Sequence, residues 1–558
     1  MPDTPTDFYS GSPRFSDAAL SALALAGDTA AAWRAALQGD PKLAALGVTG
    51  DFAVGLSEPD GRIFMAVDRF AVRTLCYRVV HGQLRFAARA DELADADTDI
   101  DPQAIFDYLY FHVIPSPRTI YKGIYRLPPG HYGVFENGQL TVAPYWIATF
   151  EEQRGVSFGA LKDEFRQLLH DAVATQLDGT KPACFLSGGT DSSTIAGMAA
   201  LASGKTAATY SIGFDAQGYD EMEFARLAAK HFKTEHHEYY VTPDDLVRSI
   251  PLVAAQYDQP FGNSSALPAY YCAKMAREDG VSKLLAGDGG DELFGGNTRY
   301  AKQKVFGWYD DIPAGLRRGL LEPVSQLRVM NQIPLVRKAA SYVNQAQVPM
   351  PDRLMTYNLL FRLGVQTMLT PELLAGVDQQ DPARQQRGVW AQARTDSLVN
   401  RMLAFDWRYT LADCDLPKVV GTTSLAGVGV GFPMLDDRLL AFSQTLPAAY
   451  KLKGLTLRWF FKEALRGFLP DETLAKKKQG FGLPFGVWVN THPALKALAT
   501  DSLHSLARRG VVRADFVQAL LTQRLPEHPG YYGEMVWILM MLEQWLAAKA
   551  PWFSLVGR

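Results

Sequence analysis

The sequence predicts an α/β protein in two parts: a β-rich amino-terminal region, then a parallel-sheet region with a helical carboxyl-terminal part. Three observations predict it. The chain has 558 residues, too long for one compact domain, so two are expected. Its first 150 residues carry short β-type runs separated by turn pairs. From about Ser157 long helical periods alternate with short apolar strands, the pattern of a parallel sheet covered by helices. The expected division is 1–150 and 151–558.

In the first part Phe52–Leu56, Ile63–Val67, Thr74–Val80 and Leu84–Ala88 read as strands, with Asp60-Gly61 and His81-Gly82 as hairpin turns. The pattern changes around Tyr145-Trp146. In the second part Pro182–Leu186 reads as a strand followed by a helix from about Asp191. Thr206–Phe214 is a second strand, Asp220–Phe232 an amphipathic helix, His236–Val241 a third strand and Lys283–Ala286 a fourth. Beyond about residue 300 the chain reads as helical, with Pro382–Arg387 and Arg524–Tyr532 expected as loops. The apolar stretch Met535–Leu542 is too short to span a bilayer and reads as a buried helix.

Composition narrows the function classes. Apolar residues make up 47% and charged residues 21%, and the formal net charge is −3. No basic stripe marks a nucleic-acid binder. Cys76, Cys184, Cys272 and Cys414 follow no metal-ligand spacing and read as reduced thiols. The start has no basic or apolar leader segment, so a cytoplasmic protein with no membrane or nucleic-acid partner is expected.

Three motifs carry chemistry. Ser187-Gly188-Gly189-Thr190-Asp191-Ser192-Ser193 lies between a predicted strand and a predicted helix. Its glycines let backbone approach a ligand, its hydroxyls donate, and the helix N-terminus offers free N–H groups to an anion. A phosphate cradle follows, with Asp191 holding Mg²⁺ rather than touching phosphate. Ala286-Gly287-Asp288-Gly289-Gly290-Asp291-Glu292-Leu293-Phe294-Gly295-Gly296 follows another strand, so both loops are expected at the same sheet edge. Three carboxylates within five residues call for a cation. Leu474–Phe485 runs three lysines into Gln-Gly-Phe-Gly, where a lysine can neutralise charge on pyrophosphate or a tetrahedral intermediate.

Together these motifs resemble the asparagine synthetase family of pyrophosphatase-loop ATPases. The resemblance continues collinearly through Asp220-Glu221, His236-His237-Glu238, Asp258-Gln259-Pro260, Pro433-Met434-Leu435-Asp436, Lys451-Leu452-Lys453-Gly454, Arg458 and Lys478-Gln479-Gly480-Phe481. Upstream, Gly50-Asp51-Phe52-Ala53, Asp68-Arg69-Phe70 and Leu127-Pro128-Pro129-Gly130-His131 resemble the tail of that family's N-terminal-nucleophile glutaminase domain. The resemblance implies ATP and Mg²⁺, an acyl-adenylate, and an amide bond formed with release of AMP and pyrophosphate. By it, Ser187, Gly188, Gly189, Ser192 and Ser193 hold the pyrophosphate, and Leu186, Ile212, Ala286 and Gly287 contact adenosine. Asp191 and Asp291 hold the metal, Lys478 stabilises charge, and Asp288 and Glu292 organise the pocket.

Two departures matter. The family's glutaminase has a cysteine immediately after the initiator methionine, where this sequence has Pro2, and no cysteine precedes Cys76. A truncated relic without glutaminase activity is therefore expected. The family has Glu and Arg where Gly429 and Gly431 stand, which implies a roomier acceptor pocket or impaired activity. Relatives without the cysteine include lasso-peptide cyclases and β-lactam synthetases. The favoured expectation is macrolactam closure of a peptide, whose partners would include a precursor peptide and its processing protease. The alternatives are an intermolecular ligase on a small-molecule carboxylate and a non-catalytic nucleotide-binding partner protein.

Overall fold

The computed structural model describes residues 7–309, 312–317, 334–476 and 482–556. It is a mixed α/β structure with one parallel sheet and many helices.

The amino-terminal region holds a five-stranded antiparallel sheet in the order Phe8–Gly11, Phe52–Ser57, Ile63–Val67, His131–Glu136, Gln139–Pro144. Cys76–Val80 and Gln83–Ala87 form the expected second hairpin. Its turn residues His81 and Gly82 have φ of 51° and 74°, the two positive values that match a tight turn to strand twist. Three short helices, Ala18–Leu25, Thr29–Ala36 and Pro41–Leu46, were not expected. Asp17, Asp28 and Asp40 cap them by accepting first-turn amides, the aspartate-before-helix signal that sequence reading passed over.

The second region is built on a parallel sheet of order Glu235–Val241, Ala208–Phe214, Ala183–Phe185, Lys283–Leu285, Gly429–Gly431. The chain lays strands outward in one direction from Ala183–Phe185, then resumes on its other side. That reversal opens a crevice at the carboxyl ends of Ala183–Phe185 and Lys283–Leu285, where open α/β sheets bind ligands. Both motif-bearing loops leave the sheet there.

Two loop expectations fail. Asp381–Gln392 is a continuous helix through residues 382–387, with Pro382 in its first turn, where a missing N–H costs nothing. The 524–532 segment is helical on both sides of a single break at His528. The apolar stretch 535–542 lies inside the Pro529–Lys549 helix and is buried throughout. Among the described residues no helix is long and apolar enough to cross a membrane.

The two regions are packed together through aromatic rings. Trp407 stacks on Phe150 and Trp146 at 5.1 and 6.0 Å and meets Phe70 edge-on at 6.1 Å. Its indole N–H donates to the Glu292 carbonyl at 2.9 Å. Thus the amino-terminal region supports the helix that carries Asp291 and Glu292.

Candidate active site

The first loop is organised by its own hydroxyls. Ser192 Oγ accepts from the Ser187 amide at 3.1 Å and lies 3.0 Å from Ser187 Oγ. The helix Thr190–Ser203 starts at Gly189 with no side-chain cap, so its first amides and positive dipole end stay available to an anion. Gly188, at φ 68°, packs its backbone on the Met222–Phe232 helix; an added Cβ would meet the Ala225 nitrogen at 2.4 Å. Gly188 therefore shapes the loop from behind and does not line the crevice.

The second loop closes onto the first. A Cβ at Gly287 would meet the Ser192 nitrogen at 2.8 Å, and one at Gly290 would meet Asp191 Oδ1 at 2.5 Å. Only glycine permits this approach. Asp191 and Asp291 each stand in the first turn of a helix, Thr190–Ser203 and Gly290–Phe294, rather than on open loops. One guanidinium joins them. Arg458 Nη1 donates to Asp191 Oδ1 and Oδ2 at 2.7 and 2.6 Å, and lies 2.7 Å from Asp291 Oδ1. Oδ2 of Asp191 and Oδ1 of Asp291 are thus at most 5.3 Å apart, the sum of 2.6 and 2.7 Å.

These groups open into a cavity of 840 Å³. Of the expected residues, Leu186, Ser187, Gly189, Asp191, Ser192, Ile212, Gly287, Asp288, Asp291 and Glu292 line it. Ser193 and Ala286 are fully buried beside it and do not. Ala286 instead donates its amide to the Gly431 carbonyl. Lys478 lies outside the described residues; Lys476 lines the cavity, paired with Glu221 at 3.2 Å and set over the Phe224 ring at 4.4 Å.

Sequence reading missed three cations of the wall, Arg458, Lys418 and Lys462. Arg458 was seen only as a matching residue, and nothing in its pattern reveals the Asp191–Asp291 bridge. Lys418 lies 3.0 Å from Asp415 Oδ1 and 3.5 Å from Asp288 Oδ1. Burial raises the Asp288 carboxyl above its ordinary value, and Lys418 opposes that rise.

Gly429 and Gly431 do not face this cavity, which corrects the expectation that they shape the acceptor pocket. They form the edge strand beside Lys283–Leu285 and line a separate cavity of 320 Å³ between the two regions. A Cβ at Gly431 would meet Gln176 Oε1 at 2.6 Å and Lys283 Cε at 3.0 Å, so those side chains fill the space a larger residue would take.

The residues present fit a magnesium nucleotide. Thr190 Oγ1 and Thr473 Oγ1 line the large cavity, are buried, and have no hydrogen-bond partner among the described residues. A hydroxyl in that condition at an uncapped helix N-terminus, as Thr190 is, suits a phosphate oxygen. Among the described residues no three His, Cys, Asp or Glu side chains cluster to hold a metal. Mg²⁺ usually takes one or two carboxylates, with phosphates and water completing the shell, which is what Asp191 and Asp291 offer.

Comparison with known proteins agrees with this geometry. A family model described as asparagine synthase matches residues 164–547, and one described as glutamine amidotransferase domain matches residues 28–146. The chain is 25% identical over 490 residues to asparagine synthetase [glutamine-hydrolyzing] 1 of Bacillus subtilis, covering 87% of this chain and 75% of that protein. It is 27% identical over 460 residues to a putative asparagine synthetase [glutamine-hydrolyzing] of Mycobacterium bovis, covering 80% and 69%. A putative asparagine synthetase [glutamine-hydrolyzing] 2 of Methanocaldococcus jannaschii is 33% identical over 265 residues, 46% and 51% of the two chains.

Proposed function

Because this chain belongs to the asparagine synthase family, whose members are ATP-dependent carbon–nitrogen ligases that form AMP, we propose that it joins an activated carboxylate to an amine carried by its own substrate. The amine is not ammonia drawn from glutamine. The most specific form of the proposal is macrolactam closure of a peptide. The observation that carries the ligase reading is the meeting of Asp191 and Asp291 within 5.3 Å, by the sum of their 2.6 and 2.7 Å contacts to Arg458, at the mouth of the 840 Å³ cavity.

In this reading the pyrophosphate of ATP lies on the Ser187–Ser192 loop, with adenosine against Leu186 and Ile212. Asp191 and Asp291 would hold Mg²⁺, which would supply neutralisation of phosphate charge. The substrate carboxylate oxygen attacks the α-phosphorus and the α–β bridging bond breaks, releasing pyrophosphate. The amine nitrogen then attacks the acyl carbon, loses a proton, and AMP leaves. Asp288, kept next to Lys418, faces this chemistry, as does Glu292; Lys478 is assigned the charge-stabilising role.

Absence of glutaminase chemistry is part of the proposal, and the cysteines support it. Cys76, Cys184 and Cys272 are buried and Cys414 is half-buried. Burial pushes the thiols of Cys76, Cys184 and Cys414 up to about 12, far from the thiolate a nucleophile needs. The reaction is placed in the cytoplasm with ATP, and a precursor peptide and its processing protease are its proposed partners.

The test incubates the protein with ATP, Mg²⁺ and candidate peptides or small carboxylates, following AMP and product mass. AMP formation with a product one water lighter than a single substrate supports ring closure. A product joining two substrates overturns ring closure in favour of an intermolecular ligase. Nucleotide binding with no AMP from any carboxylate defeats the catalytic reading, and glutamate released from glutamine defeats the missing glutaminase.

A further inference from the structure

Arg458 stands where a cation is needed, and it is already there without one. Its Nη1, which carries two hydrogens, serves three carboxylate oxygens at 2.6–2.7 Å. Glycine backbone lies close against those oxygens. A Cβ at Gly290 would come within 2.5 Å of Asp191 Oδ1, and one at Gly296 within 1.6 Å of Asp291 Oδ1. We propose that Arg458 is an exchangeable counter-ion: it bridges Asp191 and Asp291 in the ligand-free protein, then passes to the phosphates of ATP when a divalent cation takes the carboxylates. Cation and nucleotide therefore bind as one cooperative pair. The inference rests on the reading of this cavity as the ATP site.

The backbone holds the residue for this purpose. Arg458 has φ 52° and ψ 36°, a left-handed conformation that is strained for a bulky residue. It follows directly on the Leu452–Leu457 hairpin, whose turn contains Gly454 at φ 61°. The Arg458 amide donates to the Gly295 carbonyl at 3.2 Å, so the strained residue is tied to the helix bearing Asp291. The guanidinium packs 5.6 Å from the Phe461 ring. The amide contact fixes the backbone, and the side chain, paired with Asp191 and Asp291, lines the cavity.

Charge explains the coupling. A guanidinium cannot leave by losing its proton, so a metal must displace it bodily. Without phosphates the displaced cation gains no equal partner. Lys462, which also lines the cavity, has its ammonium pushed down by burial and by Arg458. ATP supplies oxygens that a planar fork binds bidentately. Linkage then requires that metal tighten ATP by the same factor that ATP tightens metal.

The test uses Mn²⁺ as the probe, read by electron paramagnetic resonance, and a non-hydrolysable ATP analogue read by calorimetry. The full-length protein, Arg458→Met and Arg458→Lys are compared. Wild type should bind Mn²⁺ weakly alone and about tenfold or more tightly with saturating analogue. Arg458→Met should bind Mn²⁺ alone about tenfold more tightly than wild type, bind metal-free analogue more weakly, and lose most of the coupling. Arg458→Lys should retain part of it. Equal Mn²⁺ affinity of wild type and Arg458→Met without nucleotide overturns the proposal. So does a wild-type Mn²⁺ affinity that the analogue leaves unchanged, a result available even if Arg458→Met fails to fold. Failure of wild type to bind the analogue under any condition sinks the ATP-site reading itself.

Discussion

The 320 Å³ and 840 Å³ cavities are both lined by charge, and they use it oppositely. In the 320 Å³ cavity between the regions, the charged groups answer one another. Arg69 pairs with Asp437 at 2.6 Å, Arg73 with Asp51 at 2.8 Å and Arg14 with Asp436 at 3.4 Å. Lys283 donates to the Gln176 carbonyl and side chain at 2.8 and 3.1 Å. Asp68 accepts the amides of Phe52, Phe70, Val72 and Arg73. In the 840 Å³ cavity Thr190 Oγ1 and Thr473 Oγ1 have no partner among the described residues, and a single arginine spans two carboxylates. Polar groups satisfied within the chain hold a structure together; polar groups left over, or shared too widely, wait for a ligand. Volume and charge count alone would not separate the two sites.

The sharpest way to break this comparison is Asp191→Asn. It should abolish AMP formation, a loss beyond about 10³, while thermal melting shows the fold retained; measurable AMP at a tenth of the wild-type rate would show that the carboxylate is not needed. Next is the lysine run. Lys478→Ala should cost about 10²–10³ in turnover and Lys477→Ala should keep most of it; equal small effects from both would make the run a solvated surface. Moving to the smaller cavity reverses the readout. Asp437→Ala leaves Arg69 without its carboxylate and the Gly50 amide without its acceptor, so it should lower stability by about 2 kcal/mol in chemical denaturation with turnover per folded molecule unchanged. The smallest effect is expected for Gly429→Glu. Gly429 is exposed and its nearest neighbour for a Cβ is the Ser282 carbonyl at 3.4 Å. Kinetics should stay within about twofold of wild type, below what one lost hydrogen bond produces.

One pH effect sharpens the same contrast between satisfied and unsatisfied charge. Lys451 is fully buried, with its ammonium donating to Asn400 at 2.8 Å and set 4.8 Å over the Phe150 ring. Burial pulls it down to about 7. Between that value and the ordinary lysine range, the unfolded chain holds a proton that the folded chain releases, so stability should rise with pH across that window. Lys451→Met should stabilise the protein at pH 7 by at least about 1 kcal/mol, and the gain should fade toward pH 10. A gain independent of pH would mean that packing, not charge, sets it.

Much was legible in residues adjacent along the chain. Ser187–Ser193 and Gly287–Glu292 announced two loops that meet at the large cavity, because strand, glycine turn and helix follow one another locally, and local backbone preference is written in neighbouring residues. The Asp60-Gly61 and His81-Gly82 hairpins were readable for the same reason. The helices after Asp17, Asp28 and Asp40 were readable too, and were overlooked among apolar alanine-rich runs. What only the tertiary structure decided are pairings between distant segments. Arg458 reaches Asp191 across 267 positions, Trp407 seats the Glu292 helix, and Gly188 turns away from the 840 Å³ cavity although Ser187 and Gly189 line it. These follow from which elements share a face of the folded sheet. Side-chain direction relative to a distant element is set by packing across the core, so no pattern along the sequence records it.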